Sequence, residues 1–246
     1  MWGFIVAVFA IAGMIKGMIG LGLPALSMGL LTLVMSPLQA ASLLIIPSML
    51  TNFWQLFAEG GVWPLLRRFW SLALGIVVGS LWGVFPTLNQ TNFPSEALLG
   101  SMLALYGIYG IYAKNIPDLS RHEAWLSPIV GYVGGALTVA TGVIIIPVVP
   151  YVQSLQLKRD DLVQSLGLAF TISTCCLAWF IYQHPQDQAP IWNPMLWIGL
   201  VPALFGMWWG AKIRYRIAEH KFRRLFFYGL ISLGSYMLLR TLWSMI

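Results

Sequence analysis

Eight apolar runs divide the chain into two sets of four: 2–35, 38–58, 70–88 and 94–113, then 125–152, 162–182, 191–211 and 225–243. A polar link, 115–124, separates a first half, 1–114, from a second, 125–246. Runs of about 18 or more apolar residues cross a hydrocarbon core about 30 Å thick as helices. Three runs of each set have the length of one crossing. The first of each set is too long for one and contains helix breakers: Gly20, Gly22 and Pro24 in "GMIKGMIGLGLP", and Gly142 and Pro147 in "GYVGGALTVATGVIIIP". The pattern predicts an all-α polytopic membrane protein with about eight transmembrane segments, the first of each half a broken hairpin.

Composition agrees. Of 246 residues, 59% are hydrophobic and 9% are charged, against about 25% charged in soluble domains. The bilayer is therefore the expected solvent and partner. The net charge of +6 does not point to nucleic acid, because the basic residues gather between the apolar runs, as membrane topology requires. The start, Met-Trp-Gly-Phe-Ile, has no basic n-region, so the first segment reads as retained. Cys175 and Cys176 are adjacent in an apolar run. They form no disulfide framework and read as small core residues.

The halves share a pattern. Gly13 and Gly17 match Gly131 and Gly135, and the glycines after Gly17 match Thr138, Ala140 and Gly142. Thr51 and Asn52 correspond to Thr171 and Ile172. Basic residues set orientation. The stretch 59–69 holds Arg67 and Arg68, the central link is flanked by Lys114 and holds Arg121, and Lys158 and Arg159 stand before the sixth run. Lys212, Arg214, Arg216, Lys221, Arg223 and Arg224 fill 212–224. These face the cytoplasm. The stretches 89–93 and 183–190 hold no basic residue and face out. The basic and neutral loops fall in opposite order in the two halves, which predicts inverted repeats. Both termini are then expected outside and the central link inside, in a cell membrane of the bacterial inner-membrane type. Inverted repeats with broken helices are typical of secondary transporters, whose site lies at the repeat interface.

The candidate chemistry is sparse. The eight carboxylates and three histidines lie between the runs or at their ends. An intramembrane proton relay, a chelated divalent cation and an intramembrane enzyme therefore lack their residues, and no cofactor is expected. Lys16 stands inside an apolar run, where it reads either as a snorkelling residue at a hairpin tip or as the counter-charge for an anion. The breaks at Gly20, Gly22 and Gly142 free backbone N–H groups and present positive helix ends that suit an oxyanion. Gly13, Gly17, Gly131 and Gly135 fit close helix packing instead. Asn52, Gln55, Thr138, Thr141, Gln164 and Thr171 supply neutral donors, with interhelical hydrogen bonding as the competing reading.

At these residues the chain resembles the sulfite/organosulfonate exporter family (TauE/SafE). The resemblance rests on the two quoted glycine-rich stretches. It rests also on the polar segments that follow them, "SPLQAASLLIIPSMLTN" and "LQLKRDDLVQSLGLAFT". Leu21 and Leu23 interrupt the first motif, Thr138 and Ala140 replace glycines in the second, and Lys16 stands where a small residue is expected. The resemblance implies an inner-membrane carrier, not an enzyme, for sulfur-containing or related small anions, with Gly20, Gly22, Gly142 and Asn52 at the site. A non-transporting membrane assembly protein is the other reading, and a homodimer is compatible with either.

Overall fold

In the computed structural model, the described residues are 1–57, 61–83, 86–88, 94–113, 116–183, 197–213 and 219–244. They form ten α-helices, α1 Trp2–Ile19, α2 Leu23–Leu31, α3 Pro37–Phe57, α4 Val62–Trp82, α5 Ser95–Tyr112, α6 Glu123–Thr141, α7 Val148–Ser154, α8 Arg159–Gln183, α9 Leu200–Ile213 and α10 Glu219–Ser244. No strand occurs among the described residues. The fold is that of an all-α polytopic membrane protein. Among the described residues six helices are long and apolar enough to cross a membrane: α1, α3, α4, α6 with the short turn before it, α8 and α10. The described part of α9 has 14 residues, and α5 is diluted by serine, glycine, glutamate and tyrosine. Large aromatic side chains such as Trp54, Trp82, Trp179 and Trp209 are exposed, as residues that meet lipid and headgroups should be.

Each broken run is a long helix and a short one. An α-helix rises about 1.5 Å per residue, so the 18 residues of α1 span about 27 Å. The nine residues of α2 span only about 13 Å. α6 and α7, with 19 and 7 residues, repeat the inequality. The two arms of each break are thus unequal: one is of crossing length and the other is half as long or less.

Two expectations need correction. The stretch before the third run is not a loop: α4 starts at Val62 and bends at Phe69, whose φ of −98° and ψ of 17° are not helical. Pro64 is tolerated in a first turn and Leu-Leu-Arg-Arg continues it, so Arg67 and Arg68 ride on helix. Likewise Arg159, Lys212, Arg223 and Arg224 lie in terminal turns of helices rather than between them. Cys176 is buried as expected, but Cys175 is exposed, with its thiol 3.9 Å from Met49 Sδ. The stretches 58–60, 89–93 and 184–196 lie outside the described residues, as do Lys114, Arg214 and Arg216.

The chain packs as two compact units: Met1–Pro47 with Leu88–Lys114 and Pro185–Ile246, and Ser48–Thr87 with Asn115–His184. Each draws on both halves of the sequence. In the first unit α1 packs along α9 and α5 along α10. The α1–α9 seam is made of glycines. A methyl group at Gly13 would strike Ala203, one at Gly17 Met207 and Ala211, one at Gly206 Ala10 and Met14, and one at Gly210 Met14. Residue numbers rise together, so the helices run parallel. Backbones this close gain dispersion contact and need no large side chain between them.

In the second unit α4 packs along α6, and the seam repeats position for position. Gly131 stands for Gly13 and meets Leu72 and Ile76; Gly135 stands for Gly17 and meets Ile76 and Ser80. Gly75 stands for Gly206 and meets Pro128 and Tyr132; Gly79 stands for Gly210 and meets Tyr132. The partners correspond as well as the glycines: Ala203 to Leu72, Met207 to Ile76, Ala10 to Pro128, Met14 to Tyr132. This seam ends in an ion pair, where Arg68 Nε and Nη2 each lie 2.8 Å from a carboxylate oxygen of Glu123.

The α5–α10 pair is antiparallel and its own image. Gly100 and Gly234 face each other; a methyl at Gly100 would lie 3.4 Å from Leu238 N, and one at Gly234 would lie 2.7 Å from Ala104 N. Beside this contact Tyr106 is buried, edge-on to Phe227 at 5.5 Å, and its hydroxyl has no hydrogen-bond partner among the described residues. A buried hydroxyl without a partner costs stability. Tyr106→Phe is therefore expected to leave the stability unchanged or raise it, by about 1 kcal/mol or less, as thermal unfolding in detergent would show.

Candidate functional site

The two breaks have one construction. Gly20 ends α1 with φ 82° and ψ 0°, and its N–H donates to Lys16 O at 2.7 Å. Gly142 ends α6 with φ 81° and ψ 0°, and its N–H donates to Thr138 O at 2.7 Å. Left-handed backbone of this kind is open to glycine at no steric cost. Gly20 follows Gly17 by three residues, whereas Gly142 follows Gly135 by seven. The second long helix therefore runs one turn further past its glycine seam. This extra turn explains why Thr138, aligned with Gly20 by sequence, is still helical.

In the first unit the chain turns again at Gly22, whose φ is 106°, and α2 begins with Leu23 and Pro24. The ring of Phe226 lies against Gly22: a methyl group there would come within 2.9 Å of it. Lys16 sits one turn before the break and is 2% exposed. Its side chain is enclosed, so the snorkelling reading has no exposed ammonium behind it.

The other sequence candidates belong to the second unit. Thr138 donates its hydroxyl to Gly134 O at 2.8 Å and Thr141 to Leu137 O at 2.7 Å. The Thr141 oxygen is also 3.4 Å from Val143 N, so it folds back over the break. Asn52, Gln55 and Gln164 meet along the contact of α3 with α8. Gln55 Nε2 donates to Val163 O at 2.9 Å, and Gln164 Nε2 donates to Leu56 O at 3.1 Å, a reciprocal clasp. Asn52 Nδ2 donates to Thr174 Oγ1 at 3.3 Å, and that hydroxyl in turn donates to Phe170 O at 2.7 Å. Gly167 lets the helices close, since a methyl there would be 2.9 Å from Leu56 N. Thr171 bonds within its own helix, to Gly167 O at 2.7 Å.

This seam is therefore first a joint. Across the helix pair the Gln55 and Gln164 amides donate to carbonyls and the Asn52 amide donates to a hydroxyl, which is the interhelical reading of these residues. The structure thus gathers Asn52, Gln55 and Gln164 with Thr174 on one seam, and places Thr138, Thr141 and Gly142 at the α6 break. Lys16, Gly20 and Gly22 stand at the α1 break in the other unit. Three residues were not singled out by sequence reasoning: Ser27, Tyr106 and Phe226. Ser27 carries a legible signal, a lone hydroxyl in the otherwise apolar nine-residue α2.

No curated protein and no solved structure gives a significant match. The profile of the sulfite exporter family TauE/SafE matches residues 5–237. That match spans both glycine-seamed pairs, both breaks and the α3–α8 joint, and the chain belongs to the TauE/SafE sulfite exporter family of membrane transporters.

Proposed function

We propose that the chain is a secondary transporter that moves small oxyanions, such as sulfite, organosulfonates or related carboxylates, out across the inner membrane. The observation that carries this reading is the pair of left-handed glycine breaks, each following an equivalent glycine seam. Such breaks leave N–H groups without intrahelical acceptors and point a helix N-terminus at them, which favours negative charge. Lys16 adds a cation, and Asn52, Gln55, Thr138, Thr141, Gln164 and Thr171 are the neutral polar groups assigned to the path.

The halves 1–114 and 125–246, joined by the link 115–124, act as inverted repeats. The position-for-position match of the α1–α9 and α4–α6 seams supports this, as does the self-symmetric α5–α10 contact. The basic residues at helix ends support a cytoplasmic central link and outside termini. With that orientation the membrane potential drives anion exit, by about 2.3 kcal/mol per charge per 100 mV.

The test is flux in liposomes containing the purified chain, with an imposed potential and with sulfite, taurine, sulfoacetate and lactate offered separately. Flux of one or more of these is the expected result, steeper at greater negative potential on the loaded side for the net anions sulfite, sulfoacetate and lactate. A folded protein that moves none of them would leave the assembly-protein reading standing.

A further inference from the structure

Ser27 and Ser48 behave unlike the other buried helical serines and threonines: among the described residues neither hydroxyl has a hydrogen-bond partner. Of the two only Ser27 stands near a helix start, Ser48 lying in the middle of α3. Thr32, Ser42, Thr138, Thr141, Thr171 and Thr174 each donate to the carbonyl four residues back, at 2.7 to 2.9 Å. Ser27 is 0% exposed, could do the same to Leu23, and does not; its Oγ has no hydrogen-bond partner among the described residues. A buried hydroxyl left so costs free energy, and such a group in a native fold calls for an occupant.

Its position names the place. Ser27 lies in the second turn of α2, just past the Gly20–Gly22 break. Side chains on a helix tilt toward its N-terminus, so the hydroxyl lies over the first turn, on the side of Leu23 and Pro24. The first turn has two amides, Leu23 and Ala25, with no intrahelical acceptor; Pro24 has no N–H, and Leu26 N–H is spent on Gly22 O at 2.9 Å. Gly22 and Gly29 turn toward Phe226 and Leu233 of α10. Ser27 lies roughly 150° around the helix from both, so the hydroxyl is not aimed into that apolar contact.

We propose that Ser27 is a specificity-determining donor to an oxyanion seated at the N-terminus of α2. Its hydroxyl and the Leu23 and Ala25 amides give three donors, matched to the three oxygens of a sulfite or sulfonate group. The proposal rests on the anion-transport reading above and assigns one end of its path.

The test compares wild type and Ser27→Ala by thermal unfolding of the purified full chain, without anion and in a titration with sulfite, taurine or lactate. Without anion, Ser27→Ala melts at the wild-type temperature or higher, because it removes an unsatisfied group. With sulfite, its dissociation constant rises about tenfold to hundredfold, and the KM for flux rises with it. The loss is smaller for lactate, whose carboxylate has two oxygens. Unchanged sulfite affinity in Ser27→Ala would mean that only water meets the hydroxyl, and a lower melting temperature without anion would mean a structural role. Either result overturns the assignment while leaving anion transport intact. Absence of any shift in the wild type with sulfite, taurine or lactate would overturn the anion reading itself, and the Ser27 assignment with it.

Discussion

Lys16→Met is expected to lower anion flux at least tenfold in a purified protein that still folds. Lys16 is 2% exposed in α1, on the helix row of Ile5, Phe9 and Ala12, which are buried with it. Enclosing an ammonium is expensive, and a lysine at the centre of a membrane helix costs about 2.5 to 3.5 kcal/mol on insertion scales. Methionine matches the length and removes the charge, so the packing is kept while the cation is lost. If the charge serves an anion, stability and flux must therefore separate on substitution, and Lys16→Arg must keep part of the flux. Liposome flux and thermal unfolding on the same preparations check both. A Lys16→Met protein with wild-type flux would remove Lys16 from the transport mechanism, and one that no longer folds would make it a structural cation.

Legibility in the sequence followed the kind of interaction. The spans could be read because lipid demands long apolar helices, and the breaks could be read because few residues besides glycine accept φ near +80° at a helix end. Gly13, Gly17, Gly131 and Gly135 were readable as packing residues. Their partners Gly206, Gly210, Gly75 and Gly79 were not read, because they lie on helices with no breaker to draw the eye to them. The register of the two breaks was misjudged by a turn: sequence matching pairs Gly20 with Thr138, whereas backbone conformation pairs it with Gly142. Arg67 and Arg68 were placed in a loop because charge was taken as the end of a helix, while Phe69 supplies only a bend. The polar candidates were legible as types and not as partners. Nothing local in Gln55 or Gln164 says that each clasps the carbonyl beside the other, since that depends on how α3 meets α8. Ser27 is legible only as a lone hydroxyl in an apolar run; that its hydrogen bond is not made needs the folded backbone to show it.

The matched glycine seams lead to a second large effect. Gly79→Ala and Gly210→Ala should each lose about 1 to 3 kcal/mol of stability, in nearly equal amounts. A methyl group at Gly79 overlaps the carbonyl of Tyr132, and one at Gly210 overlaps the carbonyl of Met14. Both obstacles are backbone, so no rotamer change relieves them and the helices must move apart along the seam. Moving apart loses dispersion contact at neighbouring positions too. Gly3→Ala and Gly229→Ala meet nothing within 4 Å and should instead gain up to about 1 kcal/mol from helix propensity. The two seams share no partner residue, so the double variant Gly79→Ala/Gly210→Ala should show the sum of the single losses. Melting temperatures of the five proteins beside wild type test this directly. A large loss at Gly79 with none at Gly210 would show that the seams match in geometry but not in energy. It would confine the structural load to the seam that Arg68 and Glu123 also tie.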